Sequence, residues 1–272
     1  MRALGRVNNP SILVVPTFCS WTAELGSAFR GAGRFTWRWK SCSLRYHCSI
    51  LVMWKAWAAK DSGHQIMQIS VILAHPDPRS FNHAIAQATV GELLKNGHQI
   101  VFHDLYLDRF DPILLADEIA SNAHLSKEID LHCQEISRAA GIVIVHPNWW
   151  GQPPAILKGW VDRVIRVGIA YRFVEGDPGE GIPVGLLKAK AVLVFNTSNT
   201  PADREAGVFG DPLEALWKSC IFGLCGVGTF YRETFSVVVT STPDQRREWL
   251  KRVREVVRQY FPESDASSAR GG

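Results

Sequence analysis

The chain has 272 residues, 46% of them hydrophobic, and a formal net charge of +4. That is enough apolar material for a large buried core and excludes the weakly hydrophobic, highly charged class that stays unfolded. The charge is uneven: residues 1–66 carry nine of the 30 Lys+Arg against only Glu24 and Asp61, so the basic balance gives the remainder no electrostatic footprint for nucleic acid.

Residues 1–66 hold five of the ten Trp without a sustained helical or strand period. The favoured reading is translated upstream sequence with the start at Met67; the alternatives are an organelle transit peptide or a small functional extension. The apolar stretch 49–59 is broken by Lys55 and too short to span a membrane, and no secretory signal is visible. The expected setting is therefore cytoplasmic, without stable membrane insertion. Cys42, His47 and Cys48 lack the second ligand pair that a zinc site needs, and no metal site is assigned. Cys220 and Cys225 lie in an apolar, small-residue stretch that reads as packed interior.

From Met67 onward, runs rich in Val, Ile and Phe alternate with amphipathic stretches. Strands are predicted at 68–74, 99–104, 141–146, 190–196 and 232–239, and helices at 82–96, 126–138, 154–167, 212–222 and 243–261. Five strands each followed by a helix predict an α/β three-layer sandwich of flavodoxin type, a parallel sheet in the order 2-1-3-4-5 with helices on both faces. The domain is bounded at 67–262, and the Ser/Ala/Gly-rich end, 263–272, reads as a disordered tail. Residues 173–183 read as a surface excursion, and 199–211 as a long loop able to shape a site.

Three loops fall at the carboxyl edge of this sheet, where ligands bind in open α/β folds. The first turn, His75-Pro76-Asp77-Pro78-Arg79-Ser80-Phe81-Asn82, has neither a dinucleotide fingerprint nor a P-loop. Ser80, Asn82 and the first N–H groups of the following helix can still hold a phosphate, with His75 as a further donor; equally, Ser80 or Asn82 can simply cap the helix. The second loop, Pro147-Asn148-Trp149-Trp150-Gly151-Gln152, offers two aromatic faces and backbone N–H groups to a flat heterocycle. The third, Asn196-Thr197-Ser198-Asn199, is polar throughout and otherwise an ordinary turn. Tyr171 can reach over a ligand or pack.

No Ser-His-Asp order, metal motif or paired carboxylates stand out, so no catalytic side chain is assigned. Chemistry would have to rest on a cofactor. A flavin meets the three demands of phosphate, planar ring and polar rim, although another nucleotide would meet them too.

Leu73-Ala74-His75 with Ser80-Phe81-Asn82, then Asp104-Leu105-Tyr106, and the run from Pro154 through Lys158-Gly159-Trp160 together resemble the NAD(P)H:quinone oxidoreductase family of flavodoxin-like flavoproteins. The resemblance covers about 67–262. It implies a flavin, FAD or FMN, with its phosphate on His75, Ser80, Phe81 and Asn82. Its ring would lie against Pro147, Asn148, Trp149, Trp150, Gly151 and Gln152, with Asn196, Thr197, Ser198 and Asn199 near the ring edge. Tyr171 would line the pocket shared by quinone and nicotinamide. It also implies NAD(P)H as co-substrate, ping-pong hydride transfer to a quinone or related electrophile, and a homodimer. Ser198-Asn199 stand where one branch of the family has glycines, and Phe209 where it has a His near the ring. The rival implication is a non-catalytic regulatory subunit that binds nucleotide and a partner such as a potassium-efflux system.

Overall fold

The computed structural model describes residues 65–175 and 181–265; the proposals for 1–66, including the upstream start and the cysteine–histidine group, lie outside them. The elements in chain order are β1 (Gln68–Leu73), α1 (Phe81–Lys95), β2 (Gln99–Asp104), α2 (Lys127–Arg138), β3 (Gly141–Pro147), α3 (Ala155–Val164), β4 (Tyr171–Phe173), β5 (Pro183–Gly185), β6 (Ala191–Ser198) and α4 (Ala202–Phe209). They continue with α5 (Pro212–Glu214), which runs into a π-helix (Ala215–Gly223), then β7 (Thr229–Ser236) and α6 (Pro243–Tyr260).

The main sheet is parallel in the order β2-β1-β3-β6-β7. Setting aside the antiparallel pair β4–β5, which is the excursion expected near 173–183, the main-sheet strands run 2-1-3-4-5 as predicted. The central strands β3 and β6 are buried along their whole length, which is why they read as unbroken apolar runs. Alternate residues serve opposite layers. Ile142 and Ile144 join Leu157, Trp160 and Trp217 on the side of α2, α3 and the π-helix. Val143 and Val145 join Ile85, Leu93, Val253 and Val257 on the side of α1 and α6.

Close approaches fix α3. A Cβ on Gly159 would lie 2.2 Å from the Pro112 carbonyl oxygen, so the Lys158-Gly159-Trp160 signature is partly a packing requirement. Arg163 on the same helix is buried and makes paired bonds to Glu118, 2.9 and 2.5 Å. Its other nitrogen donates to the Asp111 carbonyl. The long segment after β2 is thereby held against α3. Arg163 holds the Glu118 carboxyl below its usual range, chiefly by hydrogen bonding.

The structure corrects several boundaries. The last strand begins and ends three residues early, at Thr229–Ser236 rather than 232–239, because its neighbour β6 stops at Ser198 and the chain beyond has no strand to pair with. Val238 and Val239 are thereby released to the edge of the sheet. The expected loop at 199–211 contains α4, started by Pro201 and ended by Gly210 at φ 70°; only Glu205 in it is buried, so it has no apolar period to read. The predicted helix at 212–222 is mostly a π-helix, a form concentrated near functional sites. Cys225 is buried as expected, whereas Cys220 is exposed. At the other end, the buried Ser264 donates its N–H to Asn96 O at 2.8 Å, so this part of the expected tail is held. No helix among the described residues is long and apolar enough to cross a membrane.

Candidate functional site

The carboxyl ends of β1, β3 and β6 open on a cleft of about 350 Å³. From the first turn it is lined by His75, Ser80, Phe81 and Asn82; from the end of β3 by Pro147, Asn148 and Trp149; and from the end of β6 by Thr197, Ser198, Asn199 and Thr200. Ser80 is the N-cap of α1, its hydroxyl accepting the His83 N–H. The free N–H groups of this helix start therefore sit beside the cleft, with the positive end of the helix dipole. His75 Nδ1 accepts the Asp77 N–H at 3.1 Å, which places the proton of the neutral ring on Nε2. Burial is the main reason its pKa is lowered.

The structure joins Ser80 to two residues beyond the predicted set, His83 and Asp104. Ser80 Oγ lies 3.0 Å from His83 Nδ1, and His83 Nε2 lies 2.9 Å from Asp104 Oδ2 at the end of β2. Asp104 Oδ1 accepts the N–H groups of Tyr106 and Leu107. The spacing of Ser80 and His83, one helical turn at an N-cap, is legible in sequence; the reach to Asp104 needs β1 and β2 to be paired.

Asn82 is 2% exposed. Its Nδ2 donates to Thr197 Oγ1 at 2.9 Å, and its buried Oδ1 has no partner. Since the threonine hydroxyl can donate as well as accept, turning the amide round leaves an NH₂ without a partner instead. In either setting a residue lining the cleft has an unused polar atom. A ribityl phosphate chain, with hydroxyl donors and phosphate acceptors, suits both.

The aromatic loop is a tight turn. Trp149 and Gln152 exchange both backbone bonds at 3.0 Å, and the two central residues have positive φ, 58° at Trp150 and 71° at Gly151, the pattern of a type I′ turn. This geometry separates the tryptophans. Trp149 lies on the cleft, its ring 6.0 Å from that of His75. Trp150 is 100% exposed and flanks a second cavity of about 370 Å³ with Gly151, Glu205, Phe209 and Pro212. The two cavities share Asn148 and Thr200. Gln152 closes the turn through its backbone and lines neither.

Besides Gln152, two expected site residues are placed away from the cleft. Asn196 is fully buried because β6 continues through it, paired in register with His146. Its amide Nδ2 lies 2.7 Å from His146 Nε2, and its Oδ1 accepts from Arg232 at 3.1 Å. Tyr171 begins β4 and lines a separate hollow with Glu118, Asp162 and Arg166, so within one chain it does not meet the cleft. Asn196 belongs to a supporting network. His146 Nδ1 donates to the Pro147 carbonyl at 2.8 Å, leaving Nε2 to accept from Asn196 and from Trp217 Nε1 at 3.0 Å. Burial pushes the His146 imidazole down to about 4, so it is neutral. Arg232 continues the network to Glu214 and Asp211, tying the floor of the cleft to the segment carrying the second cavity.

Sequence reasoning also missed Val238, Val239 and Arg246, which close the cleft from beyond β7. Arg246, on α6, is fixed by Ser241 Oγ at 2.7 Å and the Val238 carbonyl at 3.1 Å. Nothing local marks it among the arginines of that helix. Away from the cleft, His103, His132 and Glu135 come together. Trp160 Nε1 donates to His132 Nδ1 at 3.2 Å, which leaves the neutral ring's proton on Nε2 and suits a donor better than a metal ligand.

The chain is 37% identical over 170 residues to an uncharacterized NAD(P)H oxidoreductase of Haemophilus influenzae, covering 61% of this chain and 81% of the relative. It is 28% identical over 213 residues to NAD(P)H dehydrogenase [quinone] 1 of Cavia porcellus, covering 68% and 76%. The crystal structure of Smu.1420 from Streptococcus mutans superposes with a TM-score of 0.61 at 26% identity, covering 71% of this chain and all of that one. The flavodoxin-like fold family model Flavodoxin_2 matches residues 67–260, which include every strand of the sheet and all three cleft-forming edges, and the chain belongs to that family.

Proposed function

We propose that the protein is a flavin-dependent NAD(P)H oxidoreductase that reduces quinones or related electrophiles. The observation that carries this reading is the single cleft shared by the α1 N-terminus, Trp149 and the polar end of β6, with a second cavity beside it. Relatives named as NAD(P)H oxidoreductases and quinone dehydrogenases support the same reaction class.

In this reading Ser80, Asn82, His75 and the first N–H groups of α1 hold the phosphate. Trp149 gives the ring a flat wall, and Thr197, Ser198 and Asn199 supply hydrogen bonds at its rim. A flavin bound there supplies the hydride chemistry that no side chain of the cleft can perform. Nicotinamide and acceptor would use the second cavity in turn, between Trp150 and Phe209, which is a ping-pong order. Because Asn148 and Thr200 border both cavities, they fix the relative position of the two ligands, and such positioning is the protein's main contribution to rate. Phe209 offers surface there but no proton, so stabilisation of developing negative charge falls to backbone N–H groups and helix ends. A homodimer in the cytoplasm completes the proposal; a role for Tyr171 at the ring would then have to come from a second copy of the chain.

The test is reconstitution of the full chain with FMN or FAD followed by anaerobic NADPH or NADH. The expected result is a bound yellow chromophore that bleaches with the nicotinamide and recovers faster with a quinone than with oxygen. A protein that takes up neither flavin refutes the reading, and bleaching without quinone-dependent recovery refutes the acceptor.

A further inference from the structure

We propose that Ser80, His83 and Asp104 form a hydrogen-bond relay that couples phosphate binding in the cleft to uptake of one proton by His83. The inference rests on the flavin reading above, since the phosphate is the cofactor's. It follows from the directions the three hydrogen bonds are allowed to take.

An ionised carboxylate only accepts. Asp104 Oδ2, 2.9 Å from His83 Nε2, therefore fixes the proton of a neutral His83 on Nε2. Nδ1 then carries a lone pair, and Ser80 Oγ, 3.0 Å away, must point its O–H at it. In that state the serine presents only lone pairs to the cleft, and so does a phosphate. The two repel. If His83 takes a proton from solvent, Nδ1–H donates to Ser80 Oγ, which also accepts the His83 N–H. The hydroxyl hydrogen is then free to donate to a phosphate oxygen, and the imidazolium charge faces the anion through one bond. Every donor and acceptor is used, and Asp104 keeps its Oδ1 bonds to Tyr106 and Leu107.

Neighbouring groups do not supply this proton. His75, from the end of β1, has its ring 6.3 Å from that of His83; with Nδ1 occupied by the Asp77 N–H, it can donate from Nε2 while neutral. Arg79 is paired with Asp77 in the exposed part of the turn. Arg246 reaches the cleft from α6 but is committed to Ser241 and Val238. Only at Ser80 does donation to phosphate require an added proton.

Asp104→Asn separates this relay from a plain capping role. Its Oδ1 can keep the two backbone bonds, while its NH₂ donates to His83 Nε2. That moves the neutral ring's proton to Nδ1 and frees the Ser80 hydroxyl at any pH. The experiment is fluorescence titration of the full chain with FMN and with riboflavin, which lacks the phosphate, from pH 5.5 to 8.5. For the unmodified chain, the preference for FMN should fall by up to about tenfold per pH unit once the imidazole has lost its proton, the slope for uptake of one proton. In Asp104→Asn this fall should disappear. The phosphate's own titration is common to both proteins and cancels in the comparison. Ser80→Ala should also lose the fall, from a lower FMN preference, and it carries the test if Asp104→Asn does not fold. Equal pH slopes in the unmodified chain and the variants overturn the relay alone. Binding of neither FMN nor riboflavin at any pH overturns the relay, and failure to take up FAD as well overturns the flavin reading.

Discussion

Replacing His146 with Gln removes a titrating group from beneath the cleft while leaving a donor and an acceptor near their places. Burial holds the native imidazole at about 4 against an ordinary 6.5. Between those values the unfolded chain binds a proton that the folded chain refuses, so the unfolded state gains as the pH falls. The stability that His146 contributes is complete above about 6.5 and is lost on acidification toward 4. At about 1.4 kcal/mol per pH unit, the loss over that interval is roughly 3 kcal/mol. At pH 7.5 the variant should be less stable by about 1–3 kcal/mol, because Trp217 Nε1 and Asn196 Nδ2 meet a poorer acceptor. On acidification the two proteins should converge. His132, also held at about 4 by burial, acts equally in both and drops out of the difference. Urea unfolding followed by tryptophan fluorescence at several values from pH 7.5 to 4.5 measures this directly. Parallel stability curves would refute the neutral, proton-excluding role given to His146.

The two tryptophans of the turn should behave differently: Trp149→Ala should weaken flavin binding about tenfold by removing the ring wall, whereas Trp150→Ala should leave flavin affinity within a factor of about two and raise the KM of nicotinamide or acceptor. Flavin titration and steady-state kinetics on the same preparations check both. Gly151→Ala forces a side chain onto a residue at φ 71° and places its Cβ 2.7 Å from Pro212 Cγ. It should cost about 1–3 kcal/mol in denaturant unfolding and disturb the second cavity more than the first. Glu118→Ala leaves the buried Arg163 with only Asp111, through its carbonyl and its carboxylate at 3.5 Å, which should cost up to about 3–5 kcal/mol. Because the native carboxyl is held below its usual range, the contribution of this pair is complete above that range and fades as the pH falls through the lowered value. Unfolding at pH 7 should therefore show a larger difference between the native chain and the variant than unfolding in acid.

The sequence by itself determined the sheet and most of its ligand edge. Buried parallel strands must be apolar on both faces, so Ile142–Val145 and Val192–Phe195 announce themselves. Ser80 caps a helix that starts where a strand has just ended, and Trp150-Gly151 lie in a short loop between a strand and a helix. Such signals are local, set by side-chain period, capping and backbone freedom. Tertiary structure decided the rest. Asn196 reads like its neighbours Thr197 and Ser198, but pairing with His146 extends β6 and turns its amide into the core. Trp149 and Trp150 are adjacent in sequence, yet two successive positive φ angles send them to different cavities. His83 gains its meaning only when β2 lies beside β1 and brings Asp104 within 2.9 Å. Arg246 reaches the cleft only because α6 packs beside α1 on the same face of the sheet. A hydrogen bond acts over about 3 Å, and no pattern in a linear chain specifies which residues, 21 or 100 positions apart, will come that close.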